Sequence, residues 1–135
     1  MGLAGIPKTT ENALPLLHEI RHALGRLSDS GESTVLDLRA IPFGPGDEER
    51  VLAVLGEGEI SARINTLGES RVWESRFPGV WLVEHFNHER ERIALQIEVT
   101  EIPEILKTQR GDLQESLSRL SESLITEDPR PETSK

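Results

Sequence analysis

RIALQIEV, the stretch from residue 92 to residue 99, decides the fold class. Every second residue from Ile93 to Val99 is apolar, and the residues between them are polar or small. In an extended chain this period of two places the apolar side chains on one face. The stretch therefore predicts a strand with one face in the core and the other in water.

Three more extended segments precede this strand, at residues 60–64, 69–77 and 80–86. The turn-forming sequences NTLG, FPG and NHER separate them. Connections this short join neighbouring antiparallel strands, so the four segments predict a meander. An earlier segment, TVLDLRAI (residues 34–41), is rich in apolar and β-branched residues and predicts a further strand.

Apolar residues at steps of three and four predict a helix at each end of the chain. The N-terminal stripe consists of Leu17, Ile20, Leu24 and Leu27, and the C-terminal stripe of Leu113, Leu117, Leu120 and Leu124. A short helix between them begins at Asp47, as an N-cap, and stops at Gly56.

Together these elements predict an α+β fold, in which an antiparallel meander sheet of four to five strands is covered on one face by the N- and C-terminal helices. We expect a single domain over residues 1–125 and a disordered tail over residues 126–135, which are polar and contain proline. The two leucine stripes could instead pair between chains and form a homodimer, although each is only about two heptads long.

Composition narrows the function classes. The net charge of −9 disfavours binding to nucleic acid or to an anionic membrane surface, and it favours a basic protein partner. The chain has no cysteine, which excludes disulfides and thiolate chemistry, and no apolar run approaches the length of a membrane span. We expect a cytoplasmic protein without a cofactor.

HEIRH, residues 18–22, matches the H-E-x-x-H pattern of zinc metalloenzymes. His18 and His22 are four residues apart and so share one face of the predicted helix, with Glu19 beside them. No further histidine follows at the spacing of a third ligand. A small zinc enzyme is therefore the alternative interpretation, and surface positions for these residues are the favoured one.

The segment GEGE, residues 56–59, raises a second catalytic possibility. Glu57 and Glu59 would stand side by side in a strand, and two desolvated carboxyl groups can share a proton. Their neighbours are glycine and serine, which favours exposure. We interpret Gly56 and Gly58 as the turn from helix into strand, and the two glutamates as an acidic edge that faces solvent or a partner.

Four of the five aromatic residues lie close together around FPGVW: Trp73, Phe77, Trp81 and Phe86. The strand at residues 80–86 is apolar on both faces, so one face meets the core and the other could dock a partner. Burial of both tryptophans in the core is the alternative, and the sequence leaves it open.

Three motifs, LGEGEISARI, WESRFPGVW and IALQIEVTEIP, occur in this order between about residues 52 and 105. Together they resemble the conserved C-terminal region of the HupH/HyaF hydrogenase expression proteins. The resemblance implies a non-catalytic assembly factor for [NiFe] hydrogenase. Its partners would be a hydrogenase subunit precursor, above all the small iron–sulfur subunit, and other maturation proteins. Arg76 departs from the family pattern, and the chain carries one copy of a region that longer members often repeat.

On this basis we predict no catalytic and no metal-binding residue, and a partner-binding surface instead. The residues predicted to form it come from the three motifs: Glu57, Glu59, Trp73, Phe77, Trp81, Glu98 and Glu101.

Overall fold

The computed structural model describes residues 12–65 and 68–127. The helices are α1 (Ala13–Ser30), α2 (Asp47–Leu55) and α3 (Arg110–Glu127). The strands are β1 (Thr34–Asp37), β2 (Ser61–Asn65), β3 (Glu69–Glu74), β4 (Val80–Phe86) and β5 (Arg92–Val99). The chain divides into two compact units. One ends at Pro103 and contains the sheet, α1 and α2, and the other begins at Glu104 and contains α3.

The five strands form one antiparallel sheet in the order β1-β5-β4-β3-β2. The α+β class and the predicted four-stranded meander, β2 to β5, are confirmed. Strand β1 pairs with β5 and forms the edge opposite β2. It is shorter than predicted, because the chain turns into a 3-10 helix at Leu38–Ala40. The Asp37 carboxylate accepts a hydrogen bond from the backbone N–H of Arg39 (3.0 Å), which stabilises this turn.

Helix α1 contributes to the core on one face of the sheet. Its buried residues are Ala13, Leu16, Ile20 and Ala23. Of the predicted stripe only Ile20 is buried. Leu17 and Leu24 each lie one residue beyond a buried position and are half-buried. Small alanine side chains permit a close approach to the neighbouring elements, so the buried face turns toward them and the leucines beside it stay half-buried.

The start of α2 is tied to two other parts of the fold. Asp47, predicted as an N-cap, is the first residue of the helix and is buried. Its Oδ2 accepts hydrogen bonds from the backbone N–H groups of Gly44 (2.8 Å) and Asn12 (3.2 Å). The next residue, Glu48, accepts two bonds of 2.8 Å from the guanidinium of Arg92 on β5, and this pairing raises the pKa of Arg92.

Helix α3 has no buried residue, and its four stripe leucines are between 55% and 67% exposed. Our expectation that these leucines join a helical cover of the sheet is therefore not met, because the spacing predicts a helix without specifying what packs on it. The helix also reaches Glu127, so it includes the first two residues of the predicted tail, and residues 128–135 lie outside the described part of the chain. None of the described helices is long and apolar enough to cross a bilayer.

Candidate functional site

The GEGE segment begins where α2 ends. Gly56 has a φ of 65°, a conformation that other residues adopt only with strain, and its N–H donates to the Leu52 carbonyl. The Arg76 side chain lies over this glycine, and a Cβ there would come within 2.7 Å of it. The Arg76 guanidinium donates to the Val54 carbonyl (2.9 Å), and the backbone N–H of Arg76 donates to the Leu55 carbonyl (2.7 Å). Arg76 thus caps the negative end of α2.

Gly58 lies directly against the end of β3. Its N–H donates to the Glu74 carbonyl (2.7 Å), and a Cβ at this position would lie 2.6 Å from the Ser75 carbonyl oxygen. Only glycine permits this approach of two backbones. The interpretation of the two glycines as structural is confirmed. Arg76 belongs to the same connection between the end of α2 and the end of β3.

Glu57 and Glu59 are both exposed. With Glu74, Arg76 and Pro78 they line an open hollow of about 540 Å³. A shared proton requires carboxyl groups that are removed from water, and these two are not. The arrangement suits electrostatic contact with a partner rather than acid–base catalysis.

The turn from Ser75 to Gly79 forms one wall of this hollow, and its own hydrogen bonds hold it in place. The Ser75 hydroxyl accepts from the Phe77 N–H (3.0 Å) and donates to the Phe77 carbonyl (3.1 Å). The Gly79 carbonyl accepts from the N–H of Thr100 (2.9 Å) at the end of β5. Phe77 is therefore presented from a fixed backbone, although its side chain is 42% exposed.

On the other side of the turn lies an apolar cleft of about 200 Å³. Half of its lining comes from Leu17 and Leu24 of α1, Val54 of α2 and Phe77 of the turn. We call the hollow, the turn and this cleft together the GEGE surface. It joins an apolar cleft to a row of carboxylates across a few residues of rigid backbone.

Trp73 lies at the border of a third depression, a groove of about 610 Å³ over β2 and β3 that Glu57 also lines. Its ring is partly buried and packs against the core. The guanidinium of Arg71 lies 6.0 Å from the centre of the indole, and Arg71 also pairs with Glu84 at 3.8 Å. Of the predicted binding residues, Glu57, Glu59 and Phe77 thus lie on the GEGE surface, and Trp73 lines a groove that shares only Glu57 with it.

The other predicted residues are placed differently. Trp81 is 5% exposed, and its indole N–H donates to the Thr100 carbonyl (3.1 Å). Glu98, opposite Trp81 in the sheet, is also buried. Neither presents its side chain to a partner in this structure, so we correct their assignment to the surface. The face of β4 and β5 that was predicted to be wet is buried at its centre. Glu101 is exposed but lines neither the hollow nor the cleft of the GEGE surface.

His18, Glu19 and His22 all lie on the exposed side of α1. Across residues 12–65 and 68–127, no group of three histidine, aspartate or glutamate side chains is placed to hold a metal ion. The histidine pair therefore lacks a third ligand in the described structure.

Sequence reasoning missed Val54 and Glu74 as members of this surface. Glu74 lies in the quoted WESRF motif, and that motif could have indicated it. Val54 had no such signal, because the cleft joins it to residues of α1 and to Phe77, which are far from it in the sequence.

The chain matches, over residues 10–126, the family described as HupH hydrogenase expression protein, C-terminal conserved region. This match covers most of the sequence, and the chain belongs to this family.

Two curated relatives show the extent of the likeness. The hydrogenase expression/formation protein HoxQ of Azotobacter vinelandii is 31% identical over 122 residues, which are 89% of this chain and 43% of that protein. The hydrogenase expression/formation protein HupH of Rhodobacter capsulatus is 32% identical over 94 residues, or 70% of this chain and 34% of that protein. The chain thus spans less than half of the length of these relatives.

A solved structure agrees with the fold. The hydrogenase expression protein HupH from Thiobacillus denitrificans superposes with a TM-score of 0.83 at 38% identity, covering 87% of this chain and 98% of that one.

Proposed function

We propose that this protein is a non-catalytic, cytoplasmic assembly factor in [NiFe] hydrogenase maturation, and that it binds an immature hydrogenase subunit through the GEGE surface. The small, iron–sulfur-containing subunit is the favoured partner. The relatives are named hydrogenase expression/formation proteins, which supports a role in hydrogenase maturation. The observation that carries the binding site is the exposed Phe77 on a rigid turn between an apolar cleft and the carboxylates of Glu57 and Glu59.

The cleft suits a side chain rather than a small-molecule ligand. Ligand pockets usually enclose about 300–1,000 Å³, and this cleft is smaller and has few polar atoms in its lining. Aromatic side chains that are partly exposed in the free protein and desolvated in the complex carry much of the binding energy of protein interfaces. Phe77 meets that description, and its fixed backbone limits the entropy lost on binding.

The carboxylates of Glu57 and Glu59 indicate the charge of the segment that the partner presents. Glu57 and Glu59 lie within one short loop of a chain whose net charge is −9. They would attract a basic segment and accelerate its association, more strongly at low salt. The expected partner segment therefore carries an apolar side chain for the cleft and lysine or arginine next to it.

Binding of the purified small-subunit precursor to the immobilised full chain tests this proposal. We expect Phe77→Ala to weaken the affinity about tenfold or more, because it removes the apolar anchor. We expect Glu57→Gln/Glu59→Gln to slow association and to flatten its dependence on salt, while dissociation changes little.

Two control variants match these changes elsewhere in the chain. Ile93→Ala also shortens an exposed apolar side chain, and Glu115→Gln/Glu122→Gln also removes two exposed carboxylates. Both should bind as the parent does. If the precursor binds the parent chain but the Phe77 and glutamate variants bind equally well, the GEGE surface is not the contact. If neither the small-subunit precursor nor another immature hydrogenase subunit binds the parent chain, the assembly function itself is wrong.

A further inference from the structure

Helix α3 carries a regular seam that the proposed function does not use. Its members follow one another at steps of three and four along the whole helix: Arg110, Leu113, Leu117, Leu120, Leu124 and Glu127. The four leucines in this seam are more than half exposed, and no residue of the helix is buried. Most of the stability of a helix in a protein comes from packing of its apolar face, so a covered seam would stabilise α3.

The residues beside the seam indicate what covers it. The positions that flank the leucines are neutral: Gln114, Ser116, Ser121 and Ser123. The charged residues between the two ends lie on the opposite side of the helix: Asp112, Glu115, Arg119 and Glu122. A second copy of the same helix can therefore approach the seam without like-charge repulsion, even though the protein as a whole carries a charge of −9.

We propose that two copies of this protein associate through α3, and that the two helices are antiparallel. The seam is symmetric about the midpoint between Ser118 and Arg119. An antiparallel pair centred there places Leu113 opposite Leu124 of the partner subunit, and Leu117 opposite Leu120 of the partner subunit. All eight leucines of the pair then lie in four apolar layers.

The ends of the seam select this orientation. The antiparallel pair places Arg110 beside Glu127 of the partner subunit, once at each end of the interface. A parallel pair with the leucines in register would place Glu127 beside its own copy, and likewise Arg110. Opposite charges thus favour the antiparallel arrangement and like charges oppose the parallel one. The helix dipoles are also opposed only in the antiparallel pair, which favours it further.

The interface is short, so the dimer is a weak one. About two and a half heptads fall below the three to four that make a persistent coiled coil. The monomer and dimer therefore exchange, and their ratio depends on the protein concentration. This inference stands on α3 alone and is independent of the role in hydrogenase maturation.

Sedimentation velocity of the full chain over about a hundredfold range of concentration tests it. We expect a concentration-dependent dimer, and a dissociation constant raised about fivefold by Glu127→Arg, which places two arginines together at each end. Arg110→Glu combined with Glu127→Arg restores the opposite pairing and should return the dissociation constant to near the parent value. Glu115→Gln/Glu122→Gln, on the far side of α3, should leave it unchanged.

Disulfide mapping then determines the orientation, since the natural chain has no cysteine. In the antiparallel pair, two copies of residue 113 lie about 16 Å apart along the axis, so Leu113→Cys alone should not cross-link. Leu113→Cys combined with Leu124→Cys should give a covalent dimer under mild oxidation. A monomer at every concentration overturns the proposal. So does a dimer that none of the α3 variants affects, or efficient cross-linking by Leu113→Cys alone.

Discussion

Helices α1 and α3 have the same length, 18 residues, and both carry apolar residues at steps of three and four. The stripe of α1 packs against the core with Ile20 buried and its three leucines half-buried, whereas every leucine of the α3 stripe is exposed. The same periodicity therefore occurs in a core helix and in an exposed one. Spacing identifies an amphipathic helix, but the side chains around the stripe determine what covers it.

The difference lies in the small residues. On α1, Ala13 and Ala23 lie at the two ends of the buried face, with Leu16 and Ile20 between them, and both alanines are completely inaccessible to solvent. Alanine at these positions permits close packing against the rest of the core. On α3 the seam has no alanine, and the small residues are flanking serines, which suit a partly solvated interface.

The largest effect should come from shortening one apolar side chain on each helix. Ile20→Ala removes a buried side chain from the core and should lower the free energy of unfolding by about 2–5 kcal/mol. Leu117→Ala removes an exposed side chain, and it should change the unfolding of the sheet unit by less than about 0.5 kcal/mol. Urea unfolding followed by the fluorescence of Trp73 and Trp81, which both lie in the sheet, measures both changes at a concentration low enough to keep the protein monomeric.

The comparison would break if Leu117→Ala destabilised the sheet unit as much as Ile20→Ala does. The leucine seam would then belong to the core of the same chain, and the exposed seam would not be its solution state.

The parts of the fold that depend on local sequence could be predicted. Alternation from Ile93 to Val99 and short turns specify the meander, because neighbouring strands need no long-range information to pair. The position of β1 beside β5 could not be predicted, since their pairing joins residues far apart in the sequence. The buried face of α1 was predicted inexactly for a related reason. Its alanines are buried because of the elements that pack against them, and those elements are distant in the sequence.

The candidate site follows the same rule. The exposure of Glu57 and Glu59 could be predicted from the sequence, because their neighbours in the turn are glycine and serine. Trp81 was misplaced since β4 is apolar on both faces, and a strand of that kind does not show which face is covered. Val54 lines the cleft together with residues of α1 and Phe77, a long-range arrangement that no local pattern encodes.

A smaller effect should come from adding volume at one small residue on each helix. Ala23→Leu inserts a larger side chain at a fully buried position of α1 and should cost about 1–3 kcal/mol of unfolding free energy. Ser118→Leu adds a similar volume at an exposed position of α3 and should change the same quantity by no more than about 0.5 kcal/mol. Thermal unfolding by calorimetry compares the two. Equal decreases in the free energy of unfolding would show that the buried face of α1 accepts a larger side chain as readily as an exposed helix does.

The smallest effects should come from glycine-to-alanine changes, and here the sign differs between positions. Gly31 ends α1 with a φ of 80°, where its N–H donates to the Leu27 carbonyl, and alanine there should destabilise the protein by about 1 kcal/mol. Gly111 lies in the first turn of α3 with open space around its Cβ position, so alanine there should favour the helix by roughly 0.5–1 kcal/mol. Far-ultraviolet circular dichroism should then show more helix for Gly111→Ala, while the unfolding midpoint reported by the fluorescence of the two sheet tryptophans stays at the parent value. A rise in that midpoint would mean that α3 and the sheet unfold as one cooperative unit, and the contrast between the two helices would apply only to their surfaces.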